Sequence, residues 1–329
     1  MPTEPSHGFV QMDLPIFVKE MNPYRFFPLR GWEMKGVMMK MSRLFLCGVL
    51  SLSSLSVAHA QDKSTRVVKV PPGWVDGKTK HYWIMTEGDK SLLKEYKVVM
   101  EYFFRQYAKA FRFKGKLVGR AVVKIYKNRA SYLKGGEPSY ATAYYNPISK
   151  FLVGYNHDRL LKVFSHEATH QFFDLCFPKF YKTSKVPMWF SEGMAECFQN
   201  HSIRGRRMYI NDLKSENGRR NVNSMVYNFE KGRVIPLKEM LEMSPPKFMK
   251  KSGLLYPQSW SFCHFLWNYP RVNGKGKYFK VLVKLIEAFK EGKSRKEAYE
   301  IAFKGVSLPK MEAEWKNYVL KTLKANRGK

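Results

Sequence analysis

Acidic residues are scarce in this chain: 27 Asp and Glu stand against 58 Lys and Arg over 329 residues, a formal net charge of +31 at pH 7. A balance this basic draws a protein towards acidic partners such as cell-wall or surface polymers, anionic lipid or acidic substrate proteins. The cations are scattered, denser only around Arg204-Gly205-Arg206-Arg207 and Arg219-Arg220. No nucleic-acid-binding signature accompanies them, so specific nucleic-acid recognition is not expected. Cysteine is scarce too, at four residues. Cys47 falls in an N-terminal apolar stretch, which leaves Cys176, Cys197 and Cys263, an odd number that permits at most one disulfide.

Apolar runs of membrane-spanning length are also missing. Leu44 to Val57 is apolar but Ser-rich, and shorter than the roughly 20 residues a spanning helix needs. It follows the basic segment Met39-Lys40-Met41-Ser42-Arg43 and precedes the small-residue site Ala58-His59-Ala60. That order reads as a secretory signal peptide over residues 39–60, implying a secreted or periplasmic protein with no transmembrane anchor after processing. Cys47 follows Leu46 with no small residue before it, which argues against a lipoprotein site. Export signals lie at the start of a chain, so residues 1–38 read as a mis-assigned upstream extension, with Met34, Met38, Met39 and Met41 as candidate starts. The first 60 residues hold six Lys or Arg and four Asp or Glu, so residues 61–329 still carry +29.

Against these absences stands His166-Glu167-Ala168-Thr169-His170. Residues four apart lie on one helical face, so two imidazoles can point at one metal ion while Glu167 leans towards the water such an ion binds. Leu160, Leu161, Val163, Phe164, Ala168 and Phe172 supply apolar positions at helical spacing, and Asn156 and Asp158 are candidate caps. The triplet therefore sits in a mostly buried helix, where unpartnered polar groups would cost a few kcal/mol. A metal removes that cost.

Two His ligands need a third. The metzincin pattern would place Gly at 173 and His at 176, but the chain has Phe173 and Cys176. A Glu on a second helix is the other common solution, and Pro187-Met188-Trp189-Phe190-Ser191-Glu192-Gly193-Met194-Ala195-Glu196 offers Glu192. Glu196, one turn on, could accept the free ring N–H of His166 or His170. Gly193 would let the two metal helices approach closely. With this set complete, Cys176 and Cys197 are not expected to be ligands, and Asp174 reads as a solvated helix terminus.

The pairing of His-Glu-Ala-Thr-His-Gln with Trp-Phe-Ser-Glu-Gly-Met-Ala-Glu resembles the gluzincin branch of the zincin metallopeptidases, and within it secreted bacterial domains of the peptidase MA-like superfamily. The resemblance extends from about Tyr82 to Tyr318, though only these two motifs are specific. It implies zinc (Zn2+) held by His166, His170 and Glu192, with Glu167 as general base and then proton shuttle. The gap before Glu192 differs from that of aminopeptidase gluzincins, which bears on the loop between the helices. The resembling families carry a Tyr-x-Gln-Ser segment opening a helix after the metal site, matched here by Tyr256-Pro257-Gln258-Ser259. Tyr256 is thus the candidate donor to the oxyanion, and His264 is the alternative.

The expected fold class is α+β and zincin-like: a small mixed-sheet part (61–157) followed by a mainly helical part (158–329), with the metal site in the cleft between. Strands are expected at 81–86 and 118–126 and helices at 90–111 and 129–133, with a hairpin from 141–145 and 151–155 whose edge could bind substrate as an added strand. After a polar stretch from Gln199 to about Pro236, read as a surface excursion, helices are expected at 237–243, 259–269, 278–291 and 311–323. The functional expectation is an exported zinc metallopeptidase acting on a peptide or protein substrate. The alternatives are a basic wall- or polyanion-binding protein with a structural or vestigial zinc site, and a zinc amidase acting on wall peptides.

Overall fold

The chain alternates strands and helices up to Tyr155 and is almost wholly helical thereafter. This computed structural model describes residues 69–117, 119–181, 186–204, 207–269, 271–272 and 275–325. The expected leader (39–60) and upstream extension (1–38) lie outside the described residues.

The first part comprises β1 (Trp74–Lys78), β2 (Tyr82–Glu87), α1 (Lys90–Ala110), β3 (Ala121–Tyr126), α2 (Arg129–Lys134), β4 (Ala143–Asn146) and β5 (Phe151–Tyr155). The strands form one mixed sheet in the order β1-β2-β3-β5-β4, parallel at β2/β3 and β3/β5 and antiparallel at both edges. The expected strands, first helices and hairpin are all present. β1 falls within a stretch expected to be a polar entry. It is a half-exposed edge strand, so its burial pattern gives little apolar alternation to read.

Helices α3 (Leu160–Cys176), α4 (Pro178–Tyr181) and α5 (Met188–Gln199) follow, then β6 (Ser202–Arg204) and β7 (Arg207–Tyr209). Next come α6 (Glu216–Glu230), α7 (Leu237–Glu242), α8 (Pro245–Lys250), α9 (Ser252–Asn268), β8 (Arg271–Val272) and β9 (Lys275–Gly276). The chain ends in α10 (Phe279–Lys290), α11 (Arg295–Ala302), α12 (Leu308–Asn317) and a π-helical turn, Tyr318–Leu323. The architecture is α+β, a small mixed sheet and a predominantly helical remainder. Among the described residues no helix is long and apolar enough to cross a membrane.

The region read as a surface excursion is structured. Ser215 caps α6 by accepting from the Gly218 N–H at 3.0 Å, and Asn217, Asn221, Val222, Met225 and Val226 are buried. A buried Asn uses the same letter as a solvated one, which is why polarity misled the sequence reading here.

α3 lies against the sheet because β5 makes room for it. A Cβ on Gly154 would sit 2.6 Å from Phe164 and 2.9 Å from Leu160, so glycine lets α3 close onto the strand. Gln171 then donates to the carbonyls of Val122 and Lys150, each at 3.0 Å, pinning α3 to two strand ends. From α1, the Tyr107 hydroxyl donates to the Ser165 carbonyl at 2.8 Å. Around these bonds Tyr107, Phe111, Phe172, Phe173 and Phe198 pack edge to face or tilted. The expected caps do not act: Arg159 occupies the cap position of α3 and makes no side-chain cap bond.

Candidate metal centre

α3 turns His166 and His170 to one side, and α5 brings Glu192 to the same point. The Nε2 atoms of His166 and His170 lie 3.2 and 3.5 Å from Glu192 Oε2. Three donors each about 2.0–2.1 Å from one tetrahedral ion would stand about 3.3 Å apart. Both separations from Glu192 match that spacing, and all three donors lie within 4.8 Å of one another, so the set could hold a small divalent cation. It is the group of His, Cys, Asp and Glu side chains that converges within 4.8 Å among the described residues.

The far side of each ring is also furnished. His166 Nδ1 is buried without a hydrogen-bond partner, with Glu196 Oε1 facing it at 3.6 Å. Asn221 of α6 donates to the other Glu196 oxygen at 2.8 Å. The Ser191 hydroxyl lies 3.2 Å from His170 Nδ1. A carboxylate or hydroxyl that accepts from Nδ1–H leaves Nε2 free for a cation; Ser191 is within hydrogen-bond reach of His170, and Glu196 stands just beyond it from His166. Glu196 thus faces His166, as one of its two expected positions, while Ser191 and Asn221 had no motif to mark them.

Electrostatics agree with the geometry. Burial alone would lower the His166 pKa, but the hydrogen bond to Glu192 and the charges of Glu167, Glu192 and Glu196 outweigh it and push it up to about 9. Burial would raise Glu192, yet His170 and His166 hold it well below the usual carboxylate range. The carboxylates create a site that captures a proton when no other cation neutralises them.

Glu167 lies half-buried beside this set and is held by the main chain. The Tyr145 backbone N–H on edge strand β4 donates to its Oε2 at 2.9 Å. Thr142 pairs with Tyr155 through a hydrogen bond, so the alternation of an antiparallel ladder turns the amides of Ala143 and Tyr145 away from β5. The Tyr145 hydroxyl donates in turn to Asp174, which also receives Lys150. Asp174 is thus a buried pin between helix and hairpin, not a solvated terminus.

The cleft above these groups measures about 450 Å³ and is walled by Tyr145, Val186, Met188, Pro245 and Tyr256. The Tyr256 ring stacks at 6.2 Å from that of His166. Burial, then the charge of Glu192 and a hydrogen bond to it, push the Tyr256 hydroxyl far up in pKa, so it stays a proton donor. Tyr256 lies in the second turn of α9, which starts at Ser252 and so does not open at this segment.

His264 does not line the cleft. Two turns further along α9, its Nδ1 meets the Tyr318 hydroxyl at 2.7 Å, and burial drives its pKa down to about 3. Its role in this structure is packing. Gly193 serves a close approach, but to α9 and not α3: a Cβ there would sit 2.6 Å from the Ser259 carbonyl oxygen and 2.7 Å from Cys263 Sγ. Cys176, Cys197 and Cys263 are all free thiols.

Residues 161–282 match a family model described as a protein of unknown function, DUF1570. That stretch spans both histidines, Glu167, Glu192, Glu196, Asn221, Tyr256 and His264. No curated protein matches the chain.

Proposed function

We propose that this chain is an exported zinc-dependent metallopeptidase of the gluzincin type, with the cleft between the sheet and the helical part as its active site. The observation that carries the reading is the convergence of His166, His170 and Glu192 at 3.2 and 3.5 Å, with Glu167 on the same helical face. Two His and one carboxylate are a donor set suited to zinc, and three protein ligands leave a coordination position open. Zinc bound there would supply a Lewis acid that acidifies water and polarises a carbonyl.

The chain's own residues divide the remaining work. Glu167, oriented by the Tyr145 amide, takes the proton from the attacking water and delivers it to the leaving nitrogen. Tyr256, kept protonated, donates a hydrogen bond to the carbonyl oxygen as negative charge grows on it. Edge strand β4 offers the Ala143 main chain to an extended peptide, and Val186, Met188 and Pro245 form an apolar wall for its side chains.

The test is metal analysis of residues 61–329 combined with digestion of a peptide library and of wall peptides. The expected result is about one zinc per chain, peptide cleavage, and loss of cleavage with retained metal in Glu167→Gln. Cleavage confined to wall peptides would move the assignment to an amidase. A protein that takes up no metal and keeps its stability in chelator would end the reading.

A further inference from the structure

A second concavity, of about 420 Å³, lies between the start of α10 and the α11–α12 connection, separate from the metal centre. Its rim carries Lys277, Lys280, Lys284, Lys304 and Lys310, and its floor is formed by Tyr278, Val281 and Ala302. A single carboxylate answers this charge: Lys277 Nζ meets Glu314 at 2.7 and 2.8 Å. Among the described residues, Lys280, Lys284, Lys304 and Lys310 form no ion pair. Two helices also begin here, adding the positive ends of their dipoles. Tyr278 precedes α10 without a side-chain cap bond, and Ser307, on the pocket wall, caps α12.

Four ammonium groups without an ion-pair partner on one concave surface repel one another unless anions sit between them. We infer that this lysine-rimmed groove binds a linear phosphate-type polyanion, independently of the metal centre. The choice of a polymer over one small anion follows from the donors. No Arg fork lines the groove, and its cations are exposed lysines, hydrated point charges on flexible stems. Such groups follow a repeating charge better than they enclose one ion. The net charge of +31 strengthens the attraction but does not place it; the groove does.

The experiment measures binding of long-chain inorganic polyphosphate to the full chain at several salt concentrations, with tripolyphosphate alongside. One variant replaces Lys280, Lys284, Lys304 and Lys310 with Gln. A control replaces the exposed Lys109, Lys114, Lys116 and Lys134, removing the same charge elsewhere. The groove variant is expected to bind polyphosphate at least tenfold more weakly, its log–log salt slope smaller by about 3, whereas the control stays near wild type. Equal weakening in both variants, or none in the groove variant, overturns the site. Tripolyphosphate bound as tightly as the polymer overturns the choice of a chain. If the fourfold variant melts early, the single reversal Lys284→Glu on the exposed face of α10 replaces it and must weaken binding.

Discussion

The backbone N–H of Tyr145 donates to Glu167 Oε2 at 2.9 Å, tying an edge strand of the sheet to the carboxylate between His166 and His170 on α3. Because the donor is main chain, no side-chain substitution removes it directly. Its position depends on what anchors the strand: the ladder to β5 and, on the side of α3, the Tyr145 hydroxyl on buried Asp174.

Tyr145→Phe deletes this anchor and leaves Asp174 with Lys150 as its remaining partner. It should lower stability by about 1–3 kcal/mol, the usual cost of removing a buried hydrogen bond to a charged group. Metal content should hold while turnover falls, since the ligands stay in place and Glu167 loses its alignment. Denaturant unfolding and kinetics on one preparation decide it. Unchanged stability would show that the hydroxyl does not hold the strand.

The ligands and their supports should separate in magnitude. Glu192→Ala removes a donor and should abolish tight metal binding. Glu196→Ala and Asn221→Ala act only through the His166 ring and should weaken binding by about 10–100-fold. Chelator competition measures all three. A Glu192→Ala protein that holds metal like wild type would require a different third ligand.

Metal affinity should rise with pH. The His166 pKa in the folded, metal-free protein is about 9, above the ordinary 6.5. Protonated His166 therefore adds stability that is fully present below pH 6.5 and lost as pH climbs through 9, about 3 kcal/mol in all. A metal at Nε2 must displace that proton, so apparent affinity should increase close to tenfold per pH unit from about 6.5 to 8 and level off near 9. Titration calorimetry in buffers of different ionisation enthalpy would also count the proton released. A flat profile would show that His166 does not hold a proton through this range in the metal-free protein.

Gly193→Ala tests the contact between α5 and α9. The new methyl would meet the Ser259 carbonyl oxygen at 2.6 Å, backbone that cannot swing aside, so the helices must part. Overpacking of this kind should cost about 1–3 kcal/mol. Glu192 precedes the site of strain, so metal affinity should fall with stability. A variant with wild-type melting and metal content would show that the helices have slack.

The parts of this centre legible in the sequence are those set by spacing along one element. His166, Glu167 and His170 share a helical turn, and Glu192 stands on a recognisable second helix; hence the sequence could name the side chains that converge. Tyr145 escaped because a backbone amide has no letter of its own. Asn221 and Asp174 escaped because polar residues look the same whether they face water or each other. The partner of Gly193 was misplaced for a related reason: a glycine signals a close approach without saying which helix approaches. His264 has suitable chemistry and sits on the right helix, but its position two turns past Tyr256 turns it to Tyr318.

Asn221 and Tyr256 both lie downstream of the last ligand, and α9 fills the groove that Gly193 leaves open. A chain ending near residue 200 would contain every candidate ligand yet lack Asn221 behind Glu196 and Tyr256 over His166. Long-range contacts of this kind form late, once intervening chain has been ordered. If the centre holds a cation as proposed, its competence to do so is conditional on completing the helical half.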